Sequence, residues 1–185
     1  RSALSIAERH PRHDWVAWAA ALAYAAGGLA MAGLIGAHVL IRDITPTLPR
    51  TPDIATMPVS TVVVDRNGEL LRPFTTADGM WRLPVALKDV DRHFIDMLLA
   101  YEDRHFEEHH GIDWGGLARA AGQFVLAGGH IVSGGSTLTM QLARLIEGGA
   151  THDLAAKVRQ LVHAEVLEHE LSKDEVLTLY LNLAP

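Results

Sequence analysis

One acidic residue set in an otherwise apolar helical stripe is the first place in this sequence where chemistry could happen. In VDRHFIDMLLAYEDRHFEEHHG, Ile95, Leu99, Glu102 and Phe106 recur at the spacing of one helical face, and Gly111 is suited to end that helix. A carboxylate so placed is partly withdrawn from water, which makes it a better general base. A glutamate at the edge of the stripe with its head in solvent fits the same periodicity. The second candidate is AGGHIVSGGSTLTMQLARLIEGG, in which a glycine-rich loop, Gly128 to Gly135, runs into Ser136 and Thr137 and then a helix ending near Gly148. Ser136 or Thr137 is a good N-cap, and the free N–H groups of such a terminus attract phosphate or pyrophosphate. An ordinary capped helix reads the same way. The spacing Gly129-x4-Gly134 is not a P-loop, because Gly135 stands where that motif needs lysine. In the third segment, from Thr151 to Pro185, Lys157, Gln160, Ala164 and Leu167 share a helical face with Glu168 beside them. Ser172 and Glu175 have capping-box spacing and predict the start of a further helix.

These candidates need a frame, and the rest of the chain suggests one. Trp15 to Ile41 contains no Asp, Glu, Lys or Arg. As a helix it is roughly 40 Å long, enough to cross a hydrocarbon core of about 30 Å. Trp15 and Trp18 stand at its start, where interfacial aromatics are expected. Arg1, Arg9 and Arg12 precede the span and only Arg42 and Asp43 flank its far end, an asymmetry that predicts a cytoplasmic N-terminus. A cleaved signal peptide would have a shorter apolar region, about 7–15 residues. The first residue is Arg rather than Met, so residues before it are expected. After the span, DITPTLPRTPDIATMP carries four prolines and reads as an extended linker. STVVVDRNGELLRPF then predicts a β-hairpin about an Asp65–Gly68 turn, with Met80–Val85 as a third strand, and from Leu87 onward the pattern is helical.

Composition narrows the function classes. A formal charge of −6 with scattered basic residues argues against a nucleic-acid partner. The absence of cysteine removes disulfides and thiolate metal sites. His10, His13, His93, His130, His152 and His163 read as surface residues.

Taken in order, the three segments resemble the signature blocks of family 51 glycosyltransferases, the domain of class A penicillin-binding proteins that polymerises lipid II. The block E-D-x-x-F-x-x-H-x-G is matched by Glu102, Asp103, Phe106, His109 and Gly111. The block G-x-S-T-x-x-Q-Q is matched by Gly134, Ser136, Thr137 and Gln141, with Met140 in place of the first Gln. The block R-K-x-x-E-x-x-x-A-x-x-L-E is matched by Lys157, Ala164, Leu167 and Glu168, with departures at Ala156 and Gln160. The run from Leu171 to Asn182 fits as well. The Thr-Met-Gln variant, Gln160, the hairpin and the DGMWRLPV stretch look most like the penicillin-binding protein 1C subclass.

The resemblance implies a mainly α, lysozyme-like glycosyltransferase domain, preceded by one transmembrane helix and a small β-hairpin region. The expected division is a cytoplasmic tail over 1–14, the anchor over 15–41, a linker over 42–58, a β region over 59–85 and the domain over 86–185, cut short at its C-terminal end. Glu102 would be the catalytic base that deprotonates the acceptor 4-hydroxyl, with inversion at the donor carbon and departure of undecaprenyl pyrophosphate. Lys157 would neutralise that leaving group, with Arg144 where the family often has lysine. Asp103, Phe106, His109, Arg119, Ser136, Thr137, Gln141 and Gln160 complete the implied substrate-binding set. The partners implied are lipid II, the growing glycan, the cytoplasmic membrane and other cell-wall synthesis proteins, with the catalytic part outside the cell membrane. Gln160 replaces what is usually a second glutamate, which either assists at the donor phosphate or holds Mg or Mn; an amide cannot ionise. No metal ligand is assigned, a divalent cation is left open, and weaker metal dependence is expected.

Three other readings compete. His105, Glu108 and His109 spell H-x-x-E-H, the inverted zincin pattern of a zinc peptidase. A lysozyme-like hydrolase would use Glu102 as its acid and need a paired carboxylate, Asp103 or Asp113. A membrane-tethered scaffold would keep the fold without activity. No S-x-x-K transpeptidase motif occurs within these residues.

Overall fold

The structure, a computed structural model, describes residues 14–130, 134–148 and 153–184. Arg1, Arg9, Arg12, His10, His13 and His152 lie outside the described residues. The chain divides into two compact units, one ending at Asp43 and one beginning at Ile44. The first is the helix α1 (Asp14–Ile44). Its apolar side chains are exposed, Trp15 at 72% and Leu29 at 76% among them. An aliphatic helix with no protein around it is stable where lipid replaces water. α1 is long and apolar enough to cross a membrane.

The second unit begins with a proline-punctuated segment containing two 3-10 turns, Thr45–Thr47 and Ile54–Thr56. Arg159 donates to Thr47 Oγ1 and O at 2.6 and 2.5 Å, Thr51 Oγ1 donates to Glu170 Oε2 at 2.7 Å, and Ile54 packs on the core. The hairpin follows, β1 (Val62–Val64) antiparallel to β2 (Leu70–Pro73), with Val63 opposite Arg72. Its turn is closed by Asp65 Oδ1, which accepts from the amides of Asn67 (2.8 Å) and Glu69 (2.9 Å), while Gly68 supplies a φ of +85°. Met80–Val85 forms no third strand: Ser60 and Arg82 exchange two hydrogen bonds of 2.8 Å, and the pairing goes no further. Pro84 lacks the N–H a ladder would need. Asn182 clamps this region to the helices instead, accepting from Val85 N at 3.1 Å and donating to Val85 O at 2.9 Å.

Five helices make the rest: α2 (Arg92–Glu102), α3 (Trp114–Leu126), α4 (Leu138–Ile146), α5 (Leu154–Glu170) and α6 (Lys173–Leu183). α4 is the core element. Leu138, Leu142 and Ala143 are wholly buried, and Leu167 of α5, Val176 of α6, Ile95 of α2 and Phe106 surround them. Truncating Leu142 to Ala would cost about 2–5 kcal/mol, the usual range for a filled core site. Each of these five helices starts on a residue whose side chain accepts a backbone N–H: Asp91, Asp113, Thr137, Asp153 and Ser172, the last in a full capping box with Glu175.

The first helical block departs from expectation. α2 stops at Glu102, and residues 104–108 turn instead of continuing the helix to Gly111. Asp103 breaks it with φ −157°, because its carboxylate is drawn onto another element, the N-terminus of α4. Phe106 thus reaches the core from a turn, not from the face of α2. Gly111 stands past these turns with φ +77°, and a Cβ there would lie 2.6 Å from Ala164 O. The block therefore presses its backbone onto α5, and the small Ala164, itself wholly buried, lies at the point of approach.

Candidate active site

Glu102 is the last residue of α2 and is half-buried at the edge of a cleft of about 260 Å³. Asp103, Arg104, His105, Asp113, Arg119, Ser136 and Thr137 share that cleft. Its far wall is the start of α4, reached through the glycine-rich loop, of which 131–133 lie outside the described residues. Gly135 lets this loop lie against α3, since a Cβ there would come within 3.2 Å of Leu117 Cα.

One oxygen of the Glu102 carboxylate is held: Gln141 Nε2 donates to Oε2 at 2.7 Å. Oε1 has no hydrogen bond to any described residue. Gln141 Oε1 in turn accepts from the Tyr180 hydroxyl at 3.3 Å. Burial, followed by the negative charge of Glu102, pushes the Tyr180 phenol above its ordinary range, and Arg144 opposes this. Across the cleft rim Lys157 Nζ bonds Ser136 Oγ. Burial, then the Arg144 guanidinium, holds the Lys157 ammonium below the ordinary lysine range. Two cations placed so that they repel each other form a site prepared for an anion of more than one charge.

Several residues of the implied substrate-binding set belong to the framework. The Asp103 side chain, 4% exposed, accepts from Leu138 N at 2.8 Å and pairs with His109 Nε2 at 3.0 Å through either oxygen. Asp103 thereby ties the end of α2 to the start of α4 and fixes Glu102 opposite Ser136. Thr137 donates to Gly111 O at 2.6 Å and caps α4 by accepting from Met140 N at 3.1 Å, so its hydroxyl is committed internally. Phe106 is 1% exposed, under Lys173, whose Nζ lies 4.3 Å from its ring centre. Lys173 also donates to Glu168 Oε2 (2.6 Å) and His109 O (2.7 Å), and Thr139 donates to Glu168 Oε1 at 2.5 Å. Gln160 is 6% exposed and makes no hydrogen bond to any described residue. The structure thus gathers Glu102, Arg119, Ser136, Gln141, Arg144 and Lys157 about the cleft and puts Phe106, His109 and Gln160 behind it.

The rival constellations do not assemble. His105 Nδ1 pairs with Asp113 Oδ2 at 3.3 Å while His109 faces Asp103, so the two histidines of H-x-x-E-H serve different partners. Among the described residues no three His, Asp or Glu side chains converge as a metal site. Among the described residues Asp113 is the only carboxylate besides Glu102 and Asp103 on the cleft lining, and it caps α3 through Gly116 N at 2.8 Å. That bond, then His105, holds the Asp113 carboxyl below the ordinary range.

Tyr180 lies in the Leu171 to Asn182 run that fits the family, but nothing in its spacing marks it for the site. Arg104 carried no signal of its own, since an arginine in a turn has no periodicity to mark it.

Residues 67–185 match the family described as Transglycosylase. The chain is 49% identical over 124 residues to penicillin-binding protein 1C of Escherichia coli (strain K12), covering 67% of this chain and 16% of that protein. It is 35% identical over 147 residues to penicillin-binding protein 1A of Pseudomonas aeruginosa, covering 80% of this chain and 17% of that protein. With penicillin-binding protein 1A of Mycolicibacterium smegmatis it shares 32% identity over 173 residues, 91% of this chain and 21% of that protein. The chain therefore spans about a fifth or less of the length of these relatives. The match takes in the second hairpin strand, the cleft and all five helices around it, and on that evidence this chain belongs to the transglycosylase family of peptidoglycan glycosyltransferase domains.

Proposed function

We propose that the chain polymerises lipid II at the outer face of the cytoplasmic membrane, anchored by α1 with its N-terminus in the cytoplasm. The observation that carries the reading is the state of Glu102: one oxygen held by Gln141, the other open to a cleft whose opposite rim bears Ser136 and Lys157. Glu102 Oε1 takes the proton of the acceptor sugar 4-hydroxyl as that oxygen attacks the anomeric carbon of the donor. The new glycosidic bond forms with inversion while the bond to the phosphate oxygen breaks, and its electron pair leaves on undecaprenyl pyrophosphate. Lys157 and Arg144 stabilise the charge that grows on the leaving pyrophosphate, a role worth most in a site shielded from water. Ser136, oriented by Lys157, and Arg119 are placed to contact the sugar or phosphate. The excess of arginine before the span supports the orientation.

The test is product analysis with lipid II in proteoliposomes containing the full-length protein. Glycan strands longer than a dimer and released undecaprenyl pyrophosphate are expected. Cleavage of preformed glycan, or of stem peptides with zinc dependence, would show that a rival reading is right.

A further inference from the structure

The Gln141 amide sits between two groups that dictate its orientation. Glu102, as a carboxylate, only accepts, so the amide must turn its NH2 toward Oε2. Its carbonyl oxygen then faces Tyr180, whose hydroxyl must donate. The chain runs one way, from Tyr180 on α6 through Gln141 on α4 to Glu102 at the end of α2, and joins the three helices at the reacting carboxylate. Gln and Glu both have several rotatable bonds, and without an anchor either could swing.

We propose that Tyr180 is a positioning residue for the glycosyl transfer: by donating to Gln141 it fixes which carboxylate oxygen of Glu102 is blocked and leaves Oε1 aimed at the acceptor hydroxyl. This rests on the function proposed above. The tyrosine is suited to the task because its ring is packed against the core while its hydroxyl reaches the site. Its raised phenol range keeps the donor protonated well into alkaline solution. The carboxylate and the guanidinium of Arg144 are the charged groups that face it.

Tyr180→Phe removes the hydroxyl and keeps the ring. With the full-length protein in proteoliposomes, it is expected to lower kcat for lipid II polymerisation roughly three- to tenfold, the worth of one neutral hydrogen bond. The lipid II KM and the thermal midpoint should stay near wild type. Gln141→Ala should lower kcat more, because it removes the donor that holds Glu102 Oε2 directly. In the Gln141→Ala background Tyr180→Phe should have almost no further effect, since the path through which it acts is gone. An active wild type with Tyr180→Phe at full kcat overturns the inference, as do independent, multiplying effects in the double variant. If the wild type itself does not polymerise lipid II, the proposed function fails, and this inference falls with it.

Discussion

Gly111→Ala tests the packing that holds the site together. A Cβ at this position would lie 2.6 Å from Ala164 O, 2.7 Å from Ala164 C and 2.8 Å from Glu165 N. All three atoms are backbone in the body of α5, so no side chain can swing aside. Carbon and oxygen approach comfortably only at about 3.3 Å or more, so the two segments must separate by roughly 0.7 Å. Overpacking of this kind costs about 1–3 kcal/mol. The φ of +77° adds left-handed strain that alanine bears poorly, about 1–2 kcal/mol. The sum, about 2–5 kcal/mol, is a large part of the roughly 5–15 kcal/mol that holds a domain folded. At about 2–4 °C per kcal/mol for a chain of this size, the midpoint should fall by roughly 4–20 °C. The assay is thermal unfolding of the detergent-solubilised chain followed by helical circular dichroism. Gly134→Ala is the control, for it too lies in a motif but its added Cβ meets no atom of the described residues within 4 Å; its midpoint should move by no more than about 2 °C. Equal, small shifts for both variants would refute the close approach of the first block to α5.

Other outcomes follow from the same geometry. Lys157→Met should cut polymerisation roughly a hundredfold or more in kcat, as loss of a charge-stabilising donor does. Arg144→Gln should leave Lys157 closer to ordinary lysine behaviour, so the alkaline limb of the pH–rate profile should move to higher pH. Ser172→Ala should lower the thermal midpoint by roughly 2–4 °C at neutral pH through loss of the cap. Because the Ser172 bonds hold the Glu175 carboxyl below its ordinary 4.5, the stability they confer is present above that value and lost as pH falls through the lower folded value. The difference between Ser172→Ala and wild type should therefore shrink in acid. Gln160→Glu should raise the response of polymerisation to added Mg or Mn and to chelator; an unchanged response would contradict the account of Gln160.

What the sequence revealed was what short-range physics controls. The Asp65–Gly68 turn and the Ser172–Glu175 box each depend on residues a few positions apart and are found as expected, and of the two cap candidates, Ser136 and Thr137, the structure uses Thr137. The apolar span likewise announces itself by length. Periodicity failed at Glu102, because the helix is ended by a bond from Leu138 N to Asp103, 35 residues away. Local pattern could not see that competition, and it extended the helix by two further turns. The same distance hid the roles of Asp103 and Thr137: motif spacing marks them, yet only the fold shows that they bind α2, α4 and Gly111 to one another. Tyr180 stayed hidden because a half-buried tyrosine on an apolar helix reads as packing until Gln141 is found beside it.

The most direct measurement is steady-state lipid II polymerisation by the full-length wild type and Glu102→Gln in proteoliposomes. An amide in the same volume keeps the packing but cannot take the acceptor proton. A fall in kcat of roughly a hundred- to ten-thousandfold is predicted, with the thermal midpoint and lipid II KM little changed. Polymerisation at near wild-type rate by Glu102→Gln would contradict the assignment of Glu102 as the base and the reading of the cleft built on it.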